Sequence, residues 1–299
     1  MKLRIWAALI GAGFCWGTVG VATREALNEG ISPLVLVAIR TLIAAVIMAS
    51  FLTMKRITWY RSRQLWKTGT ILSVLNFITP IIFFTLALQY ASAGFVGLLS
   101  ALTTIVIATM AHFFLPDETL NIWKTFALLV GFAGVACLLI FGDSGIGNSG
   151  RPGLAVSLVS IAILAIGWSN MYIKRSPHHY NSIVLTTLQT VVGLTFLSIL
   201  ALIIEGLPSG ISAKEWALIV YMALICTVTP YILFYWLLNQ VSATWAANVN
   251  YLVPLFSVST GLLLGNESLE AGIIVGGSLI LFGVVLSQRT DRSTVISCS

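Results

Sequence analysis

The sequence predicts an all-α integral membrane protein whose ten transmembrane helices form two inverted five-helix repeats. Three observations lead to this fold class: the composition, a series of ten long apolar runs, and an internal repeat. Of the 299 residues, 58% are apolar and only 9% are charged, and the mean hydropathy is +0.98. Because soluble domains carry about 25% charged residues, this composition excludes a soluble enzyme, a nucleic-acid-binding domain and a disordered chain.

Each predicted helix is a continuously apolar run of about 20 residues, which is the length that crosses a bilayer. The runs lack the alternation of apolar and polar residues that marks the strands of an outer-membrane barrel. In chain order, the predicted helices 1 to 10 cover 5–23, 34–54, 66–88, 93–115, 122–141, 153–174, 183–204, 216–238, 243–264 and 270–288. No stretch between them is long enough for a soluble domain.

Charged residues, prolines and glycines set the boundaries of these runs, because they favour water or end a helix. In the first half, the boundary residues are Arg4, Arg24, Pro33, Lys55, Arg63, Pro116 and Gly142. In the second half, they are Pro152, Lys174, Glu205, Glu215, Gly265, Glu270 and Arg289.

An internal repeat relates the two halves of the chain. The clearest match joins Thr79-Pro80 in predicted helix 3 to Thr229-Pro230 in predicted helix 8, at an offset of 150 residues. Other matches are Trp16 with Trp168, Ser92-Ala93 with Ser242-Ala243, Glu118 with Glu267, and Gly134 with Gly283. Because five helices is an odd number, the second copy enters the bilayer from the opposite side. We expect a first repeat over 1–143, a second over 150–289 and a cytoplasmic tail over 290–299.

The loop charges predict the orientation. If the N-terminus is inside, twelve lysines and arginines lie on the inner side, and only Arg24, Arg151 and Lys214 lie on the outer side. Lys and Arg concentrate in cytoplasmic loops, so we expect both termini in the cytoplasm and the chain in the cell (inner or plasma) membrane. The same rule explains the net charge of +6 without an acidic partner such as nucleic acid.

The inverted repeat also predicts a mechanism. Two copies of one bundle in opposite orientations are related by a pseudo-two-fold axis in the membrane plane. A conformation open to the inside then has a near-equivalent counterpart open to the outside. Alternating access follows as an exchange between the two, with the substrate held near the midplane, and this favours a transporter.

Several residues occur in an order and spacing that resemble a known family. They are Trp16-Gly17, Arg40, Ser92-Ala93, Glu118, Glu267 and the Gly-rich predicted helices 5 and 10. Over essentially the whole chain, this arrangement resembles the drug/metabolite transporter superfamily in its ten-helix form with two EamA-type repeats. The family has a Pro in helices 4 and 9, whereas this chain has Pro254 in helix 9 but Thr104 in helix 4. This difference from the family pattern argues against a symmetric binding site, but not against the fold.

The resemblance implies a secondary carrier of small metabolites, often an exporter of amino acids or related compounds in prokaryotic plasma membranes. It implies no enzymatic activity and no bound nucleotide. It does not supply a substrate, because members of the family differ widely in what they carry.

Polar and aromatic side chains on the predicted cavity helices suit a small zwitterion or polar metabolite. The candidate substrate-binding residues are Trp16, Arg40, Asn76, Thr79, Thr103, Trp168, Asn170, Tyr231, Tyr235, Asn248, Asn250 and Tyr251. As repeat mates, Trp16 and Trp168 are candidates for symmetric walls or gates. The alternative is that the tryptophans pack in the core and that the Asn and Thr side chains form hydrogen bonds between helices.

Arg40 is the one charged residue predicted well inside a span, about a third of the way along predicted helix 2. An intramembrane Arg needs carbonyl partners or a wet cavity. It either attracts a substrate carboxylate, or it serves structure by reaching out to water or by tying helix ends together.

Three prolines, Pro80, Pro230 and Pro254, lie near the middles of their predicted helices. A proline inside a helix kinks it and frees the carbonyl four residues earlier. The freed carbonyls belong to Asn76, Cys226 and Asn250. They either line a cavity that binds substrate or mark packing kinks without a ligand role.

All ten Asp and Glu residues fall in loops or at helix ends. A proton relay or cation pump usually has a carboxylate inside the membrane. This distribution therefore disfavours the main alternative function, a multidrug exporter of hydrophobic cations. A pore is a less favoured alternative. We expect no catalytic residues, metal or cofactor, and we read the four cysteines as small apolar fillers. The expected partners are a small-molecule substrate and the lipid bilayer, with the chain a monomer or weak homodimer.

Overall fold

The structure, a computed structural model, describes residues 2–57, 63–114, 122–141, 150–176, 181–206, 210–241, 246, 249–264 and 271–288. Within these ranges the chain forms ten helices, in agreement with the predicted all-α fold. They are α1 (Lys2–Asn28), α2 (Pro33–Met54), α3 (Arg63–Ala87), α4 (Ala93–Phe114), α5 (Ile122–Phe141), α6 (Pro152–Arg175), α7 (Ser182–Ile204), α8 (Ala213–Gln240), α9 (Val249–Leu264) and α10 (Ala271–Gln288). The predicted tail 290–299 and the pair Glu118 and Glu267 lie outside the described residues.

Seven of these helices, α1 to α4 and α6 to α8, are long and apolar enough to cross a membrane. Helices α1, α3 and α8 each begin three residues earlier than predicted, at Lys2, Arg63 and Ala213, and α1 also ends later. Helix α1 continues past residue 23 to Asn28, so that the charged residues Arg24 and Glu25 are part of the helix. Helix α8 begins at Ala213 instead of 216, because the Ser212 and Glu215 side chains cap its first turn reciprocally.

Contacts between helix ends establish the inverted arrangement. On one face of the bundle, Lys214 at the start of α8 lies 2.6 Å from Glu25 near the end of α1. On the same side, the backbone N–H of Arg151, before α6, donates to the carbonyl of Tyr90 after α3. Since α1 and α3 end where α6 and α8 begin, the second repeat enters from the side at which the first repeat ends. We call this side the distal face, and the side where α1 begins the amino-terminal face.

Glycines bring the two repeats into backbone contact away from the centre. A Cβ atom placed on Gly134 of α5 would lie 2.7 Å from the carbonyl oxygen of Gly276 on α10. Closer to the centre, a Cβ atom on Gly13 of α1 would lie 2.5 Å from the Cβ of Leu252 on α9. These positions accept no side chain, so the helices approach as closely as small residues allow.

Helices α3 and α8 share a local irregularity. Each contains a π-helical turn, Ser73–Ile78 in α3 and Leu224–Val228 in α8, directly before its Thr-Pro pair. The backbone N–H of Thr79 donates to the carbonyl five residues earlier, and Thr229 does the same. The expected proline kinks therefore take the form of wider helical turns, which shift the hydrogen-bond register by one residue before a proline that lacks an N–H.

Helix α4 is interrupted although it lacks the family proline. Its α-helical segments end at Ser100 and resume at Leu102. At the break, the N–H of Ala101 bonds to Leu98 and that of Thr104 bonds to Ala101, each three residues back. Helix α9 has Pro254 at the equivalent place. The interruption is therefore found in α4, which lacks the proline, whereas α9 stays α-helical from Val249 to Leu264 with Pro254 inside it.

Candidate substrate-binding cavity

A cavity of about 170 Å³ lies between the two repeats. Four helices of the first repeat (α1 to α4) and three of the second (α6, α8 and α9) form its walls. The predicted residues that line it are Trp16, Arg40, Asn76, Thr103, Asn170, Tyr231 and Asn250, together with Pro80. The lining also includes five polar residues that were not predicted to bind substrate: Thr23, Thr85, Ser100, Cys226 and Ser257.

Arg40 reaches this cavity from α2 and is only 6% exposed. Its Nε atom is buried and, among the described residues, has no hydrogen-bond partner. The ionisable groups that interact with it electrostatically are the Cys226 thiol and the Tyr231 phenol. Both are ordinarily neutral at pH 7, so neither supplies a counter-charge.

Asn76 is the centre of a buried hydrogen-bond cluster. Its backbone oxygen accepts a hydrogen bond from the Tyr231 hydroxyl at 2.7 Å. Its side-chain Nδ2 donates to the Tyr235 hydroxyl, and its Oδ1 accepts from Ser169, both at 3.1 Å. The carbonyl expected to be free for substrate is thus bound by the other repeat, and Asn76 ties α3 to α6 and α8.

One wall of the cavity is aromatic. The Trp16 ring packs edge-on against Tyr231, with 5.6 Å between centroids, and lies 5.5 Å from Phe234. Tyr231 also contacts Phe77 at 5.5 Å. Such edge-on and tilted contacts are favourable for aromatic rings, so the wall holds Tyr231 in place for its bond to Asn76.

The structure does not place Trp168 opposite Trp16. Trp168 is 46% exposed and packs on Phe114, 4.6 Å between centroids, on the outside of the bundle. The residue 150 positions after Trp16 is Ile166, which does line the cavity. Trp168 is two residues further along α6, a rotation of about 200° around the helix. The expectation of symmetric tryptophan walls is therefore wrong.

Four other predicted residues, Tyr235, Thr79, Pro230 and Pro254, lie outside the cavity lining. Tyr235 is buried behind Asn76, and Thr79 is half-buried in α3 beside Pro80. Pro230 and Pro254 are buried in α8 and α9 without reaching the cavity. Asn248 lies outside the described residues, and of Tyr251 only the backbone, within α9, is described.

Sequence analysis did not predict a role for the side chains of two residues near the site. For Cys226 only the backbone carbonyl was a candidate for the cavity and the thiol was interpreted as a filler, yet the residue lines the cavity beside Arg40. The repeat could have identified it, because it is the mate of Asn76 at the 150-residue offset. Gln189 of α7 is fully buried, and neither of its side-chain polar atoms has a hydrogen-bond partner among the described residues. No signal in the sequence separates it from the neighbouring buried threonines.

Comparison with known proteins matches this architecture to one family. The model of the EamA-like transporter family matches residues 4–140 and 153–288. The Bacillus subtilis protein YoaV, described as an uncharacterized transporter, is 25% identical over 290 residues, which cover 96% of this chain and 98% of YoaV. An S-adenosylmethionine/S-adenosylhomocysteine transporter of Chlamydia muridarum is 22% identical over 93% of this chain and 89% of its own length.

Solved structures share this fold, among them one crystal structure of a protein. It superimposes with a TM-score of 0.66 and 20% sequence identity, covering 96% of this chain and 98% of its own. At this identity the likeness concerns the fold alone.

Proposed function

Because the chain belongs to the EamA-like transporter family of the drug/metabolite transporter superfamily, we propose that it exports small polar metabolites, amino acids or related compounds, by alternating access. The chain is a multi-pass transporter of the cell membrane and not an enzyme. What we add to the family assignment is the class of substrate, the direction of transport and the residues that bind the substrate.

The observation that carries this proposal is the cavity between the inverted repeats. Its lining combines amides and hydroxyls, such as Asn170, Asn250 and Thr103, with the aromatic wall of Trp16 and Tyr231. Pockets of this kind hold small polar ligands by a few directed hydrogen bonds within apolar walls. The named substrates of the Chlamydia muridarum relative are amino-acid derivatives, which is consistent with this class.

We place the amino-terminal face in the cytoplasm. This assignment follows the excess of lysine and arginine that the sequence predicts for that side, including Lys174 and Arg175 at the end of α6. It also puts both termini in the cytoplasm, with repeats over 1–143 and 150–289 and a tail over 290–299.

A hydrophobic-cation exporter is the second candidate, and the cavity disfavours it. Within the described residues, no Asp or Glu lines the cavity, whereas Arg40 does. A fixed positive charge in a low-dielectric site repels a cation strongly. The substrate we expect is therefore neutral, zwitterionic or anionic.

Reconstitution into proteoliposomes tests the proposal. We expect saturable uptake of a small amino acid, accelerated by unlabelled substrate on the opposite side. Replacing Asn250 with Ala should reduce the uptake rate about tenfold, which corresponds to about 1.4 kcal/mol for the loss of a buried polar contact. The matched control is Ser259→Ala, on the exposed side of the same helix. Uptake that is linear in concentration and indifferent to Asn250→Ala would indicate a pore and refute the proposal.

A further inference from the structure

We propose that Arg40 is an anion-binding residue of the cavity and that its ligand is the carboxylate of a compact organic acid of about six to eight non-hydrogen atoms, such as a small amino or hydroxy acid. This inference rests on the proposed function for the role of the cavity. It adds the charge of the ligand, its size and the residue that selects it.

The first argument is the unbalanced charge. Arg40 is 94% buried, and within the part of the chain that the structure describes its Nε lacks an acceptor and its ionisable neighbours, Cys226 and Tyr231, are ordinarily neutral. A buried charge without a partner costs several kcal/mol, and intramembrane arginines are normally paired or face a wet cavity. An anion in the cavity supplies the missing partner.

The second argument is that the carboxylates nearby are already bound. Glu205, at the end of α7, lies at the start of α2, the helix that carries Arg40. Its two carboxylate oxygens accept the backbone N–H groups of Leu34 and Val35 at 3.1 and 2.9 Å. Glu25 and Glu29, on the distal face, both bind Lys214. These acids therefore serve the distal face and leave the charge of Arg40 for a ligand.

The third argument separates the two roles predicted for Arg40 from the sequence. An arginine that reaches out to water exposes its guanidinium group, whereas Arg40 is buried and lines the cavity. An arginine that ties helix ends together bonds to their carbonyls. In the described chain Arg175 does so, because its side chain donates to the carbonyl of Phe114, whereas Arg40 Nε has no such acceptor.

The chemistry of the side chain favours a carboxylate over a spherical anion. A guanidinium group presents parallel N–H donors that match the two oxygens of a carboxylate. The remaining polar lining, including Thr85, Asn170 and Asn250, can accept or donate hydrogen bonds to an amino or hydroxyl group next to that carboxylate. The Trp16 and Tyr231 rings can in addition stabilise an ammonium group through their faces.

The cavity volume limits the size of the ligand. A cavity of about 150 Å³ in another protein holds benzene, which has six non-hydrogen atoms. The 170 Å³ found here therefore accommodates a ligand only slightly larger. An acid the size of alanine or lactate fits, whereas tryptophan does not fit in this conformation.

Lactate and lactamide form the decisive pair of probes, because they have the same size and differ in charge. We expect lactate and L-alanine to raise the unfolding temperature of the purified full chain in detergent, as a ligand of the folded state must. For lactamide, L-tryptophan and chloride, the concentration that gives half of the maximal rise in unfolding temperature should be at least tenfold higher than for lactate.

Substitutions of Arg40 complete the experiment. Arg40→Gln should weaken lactate binding at least tenfold, and Arg40→Lys, which keeps the charge without the paired donors, should give an intermediate loss. Arg4→Gln, at the amino-terminal face, is the matched control and should bind lactate normally. Without ligand, Arg40→Gln should unfold at the same temperature as the unmodified chain or higher, because an unpaired buried charge has been removed.

Each other outcome overturns the inference. If lactamide binds as tightly as lactate, the site does not distinguish a charged ligand from a neutral one. If chloride competes with lactate and its effect depends on Arg40, the site binds inorganic anions. If Arg40→Gln unfolds at a lower temperature than the unmodified chain, Arg40 has a structural role. If no compact carboxylate binds, the proposed ligand class is wrong.

The transport assay separates this inference from the proposed function. Arg40-dependent binding of lactate without saturable flux would refute the transport proposal and leave the carboxylate site. Saturable flux of an amino acid that is unchanged in Arg40→Gln would refute the carboxylate site and leave the transport proposal.

Discussion

Helices α3 and α8 occupy equivalent positions in the two repeats and have the same backbone, but they bring different side chains to the cavity. Both contain a π turn followed by Thr-Pro. At equivalent positions, however, Asn76 of α3 corresponds to Cys226 of α8, and Ile81 corresponds to Tyr231. The Tyr231 hydroxyl of α8 donates to the backbone carbonyl of Asn76 in α3, whereas Ile81 has no hydroxyl with which to form the reverse bond to the carbonyl of Cys226.

This difference shows which properties the duplication preserves. The alternating access proposed above needs two half-bundles that change conformation in equivalent ways, and both halves carry the same π turn before the Thr-Pro pair. Substrate binding needs different, complementary groups on facing walls, whereas two identical halves would place the same group on both walls. The chain thus combines a symmetric backbone with an asymmetric site, and the predictions below test that combination in order of decreasing effect.

The largest effect is expected from removing Asn76. Asn76→Ala removes two buried hydrogen bonds, one to the Tyr235 hydroxyl and one from Ser169. We expect a loss of about 2 kcal/mol in the free energy of unfolding, measured by denaturant titration in micelles. The repeat mate is the control: Cys226→Ala removes only a weak sulfur contact with Thr18 at 3.7 Å and should lose under about 1 kcal/mol. Equal losses would contradict the asymmetry.

The prolines test the symmetric part of the comparison. Pro80→Ala and Pro230→Ala restore a backbone N–H and should allow a regular α-helix in place of the π turn. We expect both to slow transport by about tenfold, or about 1.4 kcal/mol in activation free energy, in the proteoliposome assay. Pro33→Ala, at the first turn of α2, where no bond is missing, should have little effect. Slower transport in only one of the two variants would mean that the two turns are not equivalent.

A smaller effect is expected from Tyr231→Phe. The substitution keeps the ring contacts with Trp16 and removes the bond to the Asn76 carbonyl. We expect a loss of about 1 kcal/mol in the free energy of unfolding. Tyr172→Phe is the matched control, since its hydroxyl lies 3.5 Å from that of Thr68, well beyond the roughly 2.7 Å typical of a hydrogen bond between two hydroxyls. A larger loss in Tyr172→Phe would show that the Asn76 cluster is not the main link between the repeats.

The smallest effect concerns the two faces of the bundle. On the distal face, Lys214 lies 2.6 Å from both Glu25 and Glu29, whereas the repeat mates of Lys214 and Glu25 are Gln64 and Arg175, which cannot form an ion pair. Because exposed ion pairs contribute little, we expect Lys214→Met to lower the unfolding temperature only slightly at low salt.

High salt provides the check on this ion pair. Salt screens exposed charges, so the difference between Lys214→Met and the unmodified chain should vanish at high ionic strength. Lys67→Met, on α3 near the amino-terminal face, should show no such salt dependence. A difference that persists at high salt would mean that Lys214 acts through packing instead of charge.

The fold could be predicted from the sequence because the bilayer constrains composition directly. Ten apolar runs and the 150-residue offset between Thr79-Pro80 and Thr229-Pro230 are sufficient to place ten helices and invert the second repeat. The boundaries that differ depend on local chemistry. Ser212 caps α8 earlier than the apolar run suggests, and the charged last turn of α1 stays helical beyond the apolar part.

The site could be predicted only in part, because in an apolar helix the sequence does not show which side faces the cavity. Trp16 was placed correctly, whereas Trp168 was assigned to the wrong side by a two-residue error in the offset. The burial of Arg40 without a partner was also beyond the sequence, since it depends on where the Glu205 carboxylate binds.

The glycine contact between α5 and α10 has a consequence for the evolution of this architecture. Gly134 faces the Gly276 carbonyl so closely that no larger residue fits, and none of the described side chains of α5 and α10 lines the cavity. Mutations at that seam threaten folding, whereas cavity-wall residues outside the hydrogen-bond cluster of Asn76, such as Asn250, can change with less cost to stability. Selection can therefore diversify the cargo while the seam stays fixed, and proteins with about a quarter of their residues in common can share one scaffold.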